Sequence, residues 1–392
     1  MSTSTTFTAT PTQPAKKIRI VAELKLISPM QVTALEPGRY STDTQQIRMG
    51  DKKENGLPCT LTRKLPVQRF GPTELAGVDG EEGKKLSATV RVPVIPASTL
   101  CGKLRNAASR LIEESIIARK QTIKPATFST MRSGAATATM RRTEQGVRLA
   151  LAGAADPFLG IFGGTSFAIS ANLITHEAYA YTVDSAPMLR WQPRTLTAVP
   201  TYSTTGAIPI VRKNQIYEWS DSEHMVALMG EDTLIDYAKD MLETQAASKA
   251  KKLAGEAGKK EDLRTVAAAE VVTPGTGFVA MWDLTYRNQE QLGLFLLALR
   301  EVFSEGQVGG RKAKGGGQFT VEICKALVQE DGAARELDVF ASRVDGAKFE
   351  VVQDGFLGEA VVTAESWLEE VDAARYEAFS ADDAPLRFVE AA

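Results

Sequence analysis

The residue pattern predicts an α+β protein: apolar residues alternate as in a strand near the start, recur twice at helical spacing further on, and alternate again around each helix. The first strand is Lys17–Ile27, where Ile18, Ile20, Ala22, Leu24 and Leu26 alternate with Arg19, Glu23 and Lys25, as in a half-buried strand. The first helix opens at Ser98 or Thr99, either of which can cap it, and carries Leu100, Leu104, Ala107, Ala108, Leu111 and Ile112 on one face. Phe167–Ala180 reads as a strand, and Glu270–Arg287 as another with an interruption at Pro274 and Gly275. Gln289–Phe303 is a helix burying Leu292, Phe295, Leu296, Leu299 and Phe303, and Gln318–Val328 closes the body as a strand. The order strand, helix, strand, strand, helix, strand is the ferredoxin-like arrangement shared by RNA-recognition domains.

Long insertions replace the usual short loops, at about 28–90, 120–160 and 181–269. Residues 1–16 are expected to be a disordered tail, 17–328 the body, and 329–392 an acidic extension in which Ala364–Phe379 is helical. At 392 residues and 43% hydrophobic content the chain can fill a sizeable core. No apolar run reaches the roughly 20 residues of a membrane span, and Met1–Pro14 lacks the apolar centre of a secretory signal, so a cytoplasmic protein is expected. Cys59, Cys101 and Cys324 are odd in number and scattered, which suggests neither a disulfide framework nor a thiolate zinc site.

The net charge of −2 conceals an asymmetry. Residues 331–392 hold fifteen acids and five bases, a balance of −10, which leaves +8 for residues 1–330. A basic body fits a polyanionic partner, and an acidic tail can cover a neighbouring basic surface. In Gly309–Phe319 (GGRKAKGGGQF) five glycines and three cations lie between a helix and a strand. Glycine lets backbone approach a ligand closely, successive amides can form an anion-binding concavity, and Arg311, Lys312 and Lys314 supply charge beside Gly310, Gly315 and Gly316. A solvated Gly/Lys turn would read the same way. A nucleotide-hydrolysing P-loop is excluded, because no Gly-Lys-Ser/Thr ends the segment and the helix precedes it.

Three placed motifs resemble the RAMP superfamily of CRISPR-associated proteins, and within it the multi-copy backbone subunits. Ile95–Arg105 (IPASTLCGKLR) looks like the family's I-P-G-S-S-L-K-G-x-x-R helix start, Glu270–Phe278 (EVVTPGTGF) like its E-x-x-x-x-G-T-x-F strand, and Gly309–Phe319 occupies its glycine-rich position. The long third insertion and the acidic extension point to the type IV backbone subunit. The resemblance implies a palm-like core with finger and thumb insertions, copies stacked head to tail along a guide RNA, and thumbs that interrupt the guide's base stack. The implied partners are CRISPR guide RNA, target DNA through guide pairing, further copies of the chain, a smaller RAMP subunit, a large subunit and a DNA helicase, with no cofactor.

Under that resemblance Ser98, Thr99, Lys103 and Arg105, at a helix N-terminus that favours phosphate, are assigned to guide-backbone contact. Ile208, Pro209, Ile210 and Arg212 match a thumb tip, an apolar wedge between bases with a cation beside it. Arg132, Arg141 and Arg142 are candidates to line the same channel. The type III relatives cut target RNA with a metal and an aspartate, but Asp43, Asp51 and Asp79 lie in no match to that loop, and His176 and His224 fall in no catalytic spacing. A non-catalytic subunit is therefore expected, the alternative being a metal-dependent, RNA-guided target-RNA endonuclease of the type III kind.

Overall fold

The computed structural model describes residues 15–40, 47–49, 57–69, 88–133, 155–163, 171–213, 230, 232, 264–310, 315–330, 333–344, 348–353 and 355–380. Among them the strands are β1 (Lys16–Leu26), β2 (Thr33–Tyr40), β3 (Ile47–Met49), β4 (Leu57–Thr62), β5 (Lys64–Gln68), β6 (Thr89–Ile95), β7 (Leu173–Thr175), β8 (Ala178–Ala180), β9 (Thr205–Lys213), β10 (Arg264–Val272), β11 (Gly277–Tyr286), β12 (Phe319–Glu330), β13 (Ala333–Asp338), β14 (Phe340–Val344) and β15 (Lys348–Val351). The helices are α1 (Ala97–Ala118), α2 (Pro125–Ser133), α3 (Pro157–Phe162), α4 (Gln289–Glu305), α5 (Gly355–Glu370) and α6 (Ala373–Ser380). The fold is α+β.

The main sheet runs β13, β12, β1, β11, β8, β6, β5, with β7 also paired to β11. Strand β1 lies inside the sheet, third in that order, antiparallel to β11 (Ile18 opposite Leu284, Leu24 opposite Phe278) and to β12 (Ile18 opposite Val328). Its alternation divides the faces. Ile18, Ile20, Ala22, Leu24 and Leu26 enter the large core beneath α1 and α4, while Val21 joins Val279, Met281 and Trp191 in a small cluster on the other face. In space the strands of the expected body stand fourth, first, third, second, with both predicted helices packed into the one core.

Two strand expectations are corrected. Glu270–Arg287 is two strands in different sheets, because Pro274 has no amide to donate and Gly275 turns the chain at φ +85°, so β10 ends in one sheet and β11 begins in another. Phe167–Ala180 is not continuous either: Ala178–Ala180 and Leu173–Thr175 are separate strands broken at His176 and Glu177, and 167–170 lie outside the described residues.

The second sheet, in the order β3, β2, β4, β10, β9, joins residues of the first expected insertion to residues of the third. Its interior joint is the buried Glu270, whose carboxylate accepts the Thr62 amide (3.1 Å) and pairs with Lys64, while the Thr62 hydroxyl donates to the Glu270 carbonyl (2.7 Å).

The acidic extension packs into the core. Strand β13 lengthens the main sheet beyond β12. The helix expected at Ala364–Phe379 is two helices broken at Val371 and Asp372, the first beginning nine residues earlier at Gly355. Helix α5 crosses α4 at Gly293, where an added Cβ would stand 1.9 Å from the Ala360 carbonyl oxygen and 2.6 Å from the Ala364 Cβ. Helix α6 is tied down by Arg375, whose Nε donates to the fully buried Asp156 carboxylate at 2.6 Å; Asp156 also caps α3 through the Leu159 amide (2.8 Å). No helix among the described residues is long and apolar enough to cross a membrane.

Candidate nucleic-acid interface

The three motif segments, distant in sequence, meet at one end of the main sheet, where β1 ends and β11 and β12 begin. The hub is the stretch 27–32 that leaves β1. Met30 exchanges both backbone bonds with Val272 (3.1 and 2.7 Å), Gln31 accepts the Gly310 amide (2.8 Å), Pro29 accepts the Gly317 amide (2.9 Å), and the Gln318 amide donates to the Ser28 hydroxyl (2.7 Å). The helix-start motif reaches the same place through Lys103, whose ammonium pairs with Glu305 (2.8 and 2.9 Å) in the last turn of α4.

The glycine-rich segment is a closed hairpin whose base is pinned to that hub. Gly306 ends α4 in a left-handed cap (φ +58°), Phe319 donates to its carbonyl (2.8 Å), and Val308 donates to that of Gly317 (2.9 Å). Glycine is required at two points. Gly309 (φ +84°) passes so near the hub that a Cβ would meet the Gln31 carbonyl oxygen at 2.6 Å, and at Gly317 (φ +74°) one would meet that of Val308 at 1.8 Å. The amides of Gly310 and Gly317 are thus consumed by the chain's own carbonyls, which corrects the assignment of Gly310 as a phosphate donor. Gly315 and Gly316 are half-buried near the tip; Gly316 offers its carbonyl to Gln307 (3.4 Å), and nothing lies within 4 Å of a Cβ at Gly315. Arg311, Lys312 and Lys314 lie outside the described residues.

The helix-start residues are engaged internally. The N-cap position of α1 is Pro96, so neither Ser98 nor Thr99 caps the helix; both are in its first turn, and the Ala97 amide donates to the Glu177 carboxylate (3.0 Å). An anion from β8's approach already occupies the helix N-terminus. Arg105 is turned inward, donating to the Phe162 and Gly163 carbonyls (3.3 Å to the second) with its guanidinium over the Phe162 ring (5.5 Å). Lys103 has its ion pair. Ser98 is exposed and Thr99 half-buried in the first turn.

Arg132 forms a fork with the fully buried Glu113 (2.8 Å for Nε) and lies over Phe128, so it joins α2 to α1 and does not line a channel. Arg141 and Arg142 lie outside the described residues. Ile208, expected in a wedge tip, is on β9 and packs on Ala269 and Val271 of β10. Pro209, Ile210 and Arg212 continue β9 opposite Ala268, Ala267 and Thr265; their side chains are outside the described set. This strand is an edge of the second sheet among the described residues.

The sheet face away from the helices, where an RNA-recognition domain stacks bases, is covered at Val21, Glu23, Val279 and Met281 by residues 189–196. Trp191, Leu189 and Leu196 pack on Val21, Val279 and Met281. Glu23, fully buried in β1, fastens this cover by accepting from the Trp191 indole (3.0 Å), the Arg194 and Thr195 amides (2.9 Å each) and the Thr195 hydroxyl (2.6 Å). Burial pushes the Glu23 carboxyl up, but these donors, led by the Thr195 hydroxyl, outweigh it and hold the group below the ordinary carboxylate range. Sequence reading missed this anchor, because an acid at an outward strand position looks solvated.

His176, in the break between β7 and β8, lies on the same face with Nε2 3.0 Å from Asp283. The Arg19 guanidinium forks onto Asp283 (2.6 and 2.9 Å), and that bond, ahead of the one from His176, holds the Asp283 carboxyl below its usual value. Asp43, Asp51, Asp79 and His224 lie outside the described residues. Tyr202, which sequence reading passed over, is 86% exposed at the foot of β9; the available signal was its position within an acid-free stretch, 185–213, that carries four cations.

No family model matches the chain, and no curated protein does. Among solved structures it is similar to a chain of a "Type IV-B CRISPR Complex", at 16% identity over 81% of this chain and 93% of the other, with a TM-score of 0.39. It is also similar to a chain of the "Cryo-EM structure of the Type III-B Cmr-beta bound to cognate target RNA", at 10% identity over 80% and 61%, with a TM-score of 0.32.

Proposed function

We propose that this chain is a non-catalytic backbone subunit of a type IV-like CRISPR effector ribonucleoprotein, several copies of which bind along a guide RNA and present it for pairing with invading DNA. The observation that carries the reading is the convergence of Ile95–Arg105, Glu270–Phe278 and Gly309–Phe319, the three motif segments, at one end of the sheet through Lys103–Glu305, Met30–Val272 and Gln31–Gly310. In this reading the pinned hairpin carries Arg311, Lys312 and Lys314 to the guide's phosphates. Phosphate contact fixes register without reading sequence, which is left to base pairing. The further partners are a smaller RAMP subunit, a large subunit and a DNA helicase. Target cleavage is not assigned to this chain.

The test is purification of the chain from cells that also express a CRISPR array and the neighbouring proteins, followed by sequencing of the bound RNA and mass measurement of the particle. Uniform guide-length RNA with several protein copies is the expected result; a monomer carrying heterogeneous RNA, or none, overturns the reading. The competing endonuclease reading is tested by Asp43→Ala, Asp51→Ala and Asp79→Ala in the assembled particle. RNA cleavage that is present in the parent and lost in any of the three would replace the non-catalytic assignment.

A further inference from the structure

Tyr202 is the only aromatic among the exposed large apolar residues described, and at 86% it is more exposed than any of the others. A single exposed apolar residue is ordinary; the surroundings of this one are not. Its short helical turn, Thr201–Thr204, is held on every side but the ring's. The buried Thr201 hydroxyl donates to Asp184 (2.7 Å), the buried Thr204 hydroxyl donates to the Thr201 carbonyl (2.6 Å), and Ser203 bonds Pro200 through both amide (3.0 Å) and hydroxyl (2.7 Å). From the end of the neighbouring strand β10, Thr273 adds its hydroxyl to the Ser203 carbonyl (2.9 Å) and its amide to that of Thr204 (3.0 Å). Backbone and neighbours are fixed, and the ring is left in solvent.

Its location gives the ring a use. Thr273 follows Val272, which pairs with Met30, and Met30 precedes Gln31, which receives the Gly310 amide. Tyr202's turn and the base of the cationic hairpin are therefore three cross-strand steps apart, about 15 Å at the ordinary strand spacing, or roughly four nucleotides at the stacked rise. The stretch 185–213 around Tyr202 contains Arg190, Arg194, Arg212 and Lys213 and no Asp or Glu. Arg194 is spoken for by Glu336 (2.7 and 2.9 Å), and the Asp184 carboxylate against the turn is buried and bonded to Thr201.

We propose that Tyr202 is a stacking platform for a nucleobase of the bound single-stranded RNA, a contact that rests on the RNA-binding reading above and adds to it a base-contacting residue outside all three motifs. An aromatic ring on a rigid turn loses little freedom on stacking, and stacking tolerates any base because every base presents a π-face. The cationic hairpin would hold the backbone while Tyr202 fixes the base some four nucleotides away.

The experiment compares the full-length parent with Tyr202→Phe, Tyr202→Leu and Tyr202→Ala for binding a fluorescein-labelled uridine oligoribonucleotide, with the mass of the RNA-free protein measured in parallel. Stacking predicts that Phe binds as the parent does, while Leu and Ala lose about five- to a hundred-fold in affinity. Affinity equal in all four proteins refutes the platform and leaves the RNA-binding reading intact. A parent that binds no RNA removes both. Affinity that Leu preserves as well as Phe, or a loss of self-association by Ala without RNA, assigns the ring to a protein contact and overturns the proposal. Because the ring is solvent-exposed, all three variants are expected to fold, and unfolding curves matching the parent check this.

Discussion

The Glu177 carboxylate accepts the backbone amide of Ala97 at 3.0 Å, so the first turn of α1 meets an anion supplied by the chain itself. Helix N-termini attract negative charge through their unpaired amides and the axial dipole. Glu177→Ala is expected to lower stability by about 1 kcal/mol, measured by urea denaturation, while RNA affinity stays within error of the parent. Unchanged stability with weakened RNA binding would return α1 to the interface.

The cations of the glycine-rich segment and those on α1 should separate cleanly in salt titrations. Replacing Arg311, Lys312 and Lys314 by Glu is expected to weaken RNA binding and reduce the slope of log affinity against log salt by about 2, the share of three phosphate contacts on a single strand. Lys103→Ala, which removes the Glu305 pair, should cost stability alone. Identical slopes for parent and triple variant would dissociate the hairpin from phosphate.

Gly293 lies where α5 of the acidic extension packs on α4. Gly293→Ala improves helix propensity by about 1 kcal/mol, yet its methyl would have to enter the space of the Ala360 carbonyl. A net loss of about 3 kcal/mol is expected, read from the denaturant midpoint. A stabilised variant would mean that α5 does not sit on α4 in solution.

Glu23 gives the fold a defined acid response. Its carboxyl is held below the ordinary range in the folded state, so the folded chain binds this proton less readily than the unfolded one. The contribution is fully present above the unfolded value near 4.3 and is lost as pH falls through the lower folded value. Glu23→Gln, which turns an amide donor toward donors, should cost about 3 kcal/mol at neutral pH. The gap to the parent should narrow below about pH 4; a gap constant down to pH 3 contradicts the anchor.

Replacing Arg375 by Ala leaves the fully buried Asp156 without its cation. The expected loss is about 3–5 kcal/mol, accompanied by faster proteolysis after α5 as α6 comes away. Stability equal to the parent's would show that α6 is not docked.

What the sequence conveyed was local. β1, α1, α4 and β12 were legible because each carries its own apolar period, and the core residues named for the two helices are buried, Leu111 and Ala107 only in part. What it hid was the destination of each segment. A Pro-Gly break at 274–275 announces a turn but not that the next strand joins another sheet. Glycines at 309 and 317 look alike whether they admit a phosphate or the chain's own carbonyls, and the choice depends on Gln31 and Val308. Lys103, Arg105 and Arg132 read as open cations because their partners Glu305, Phe162 and Glu113 are identified only by packing. Glu23 was invisible as an anchor for the same reason, its donors lying at 191–195.

The interior place of β1 sets the timetable of synthesis. Both strands that flank it, β11 and β12, are encoded after residue 276, so a ribosome must add the intervening residues before either can pair, roughly ten seconds to a minute at ordinary rates. Throughout that interval the nascent chain exposes an unpaired strand with the apolar row from Ile18 to Leu26. Newly made copies crowded on one messenger would then offer these rows to one another, so yield on expression should depend on chaperone supply and on translation density more than on the stability of the finished fold.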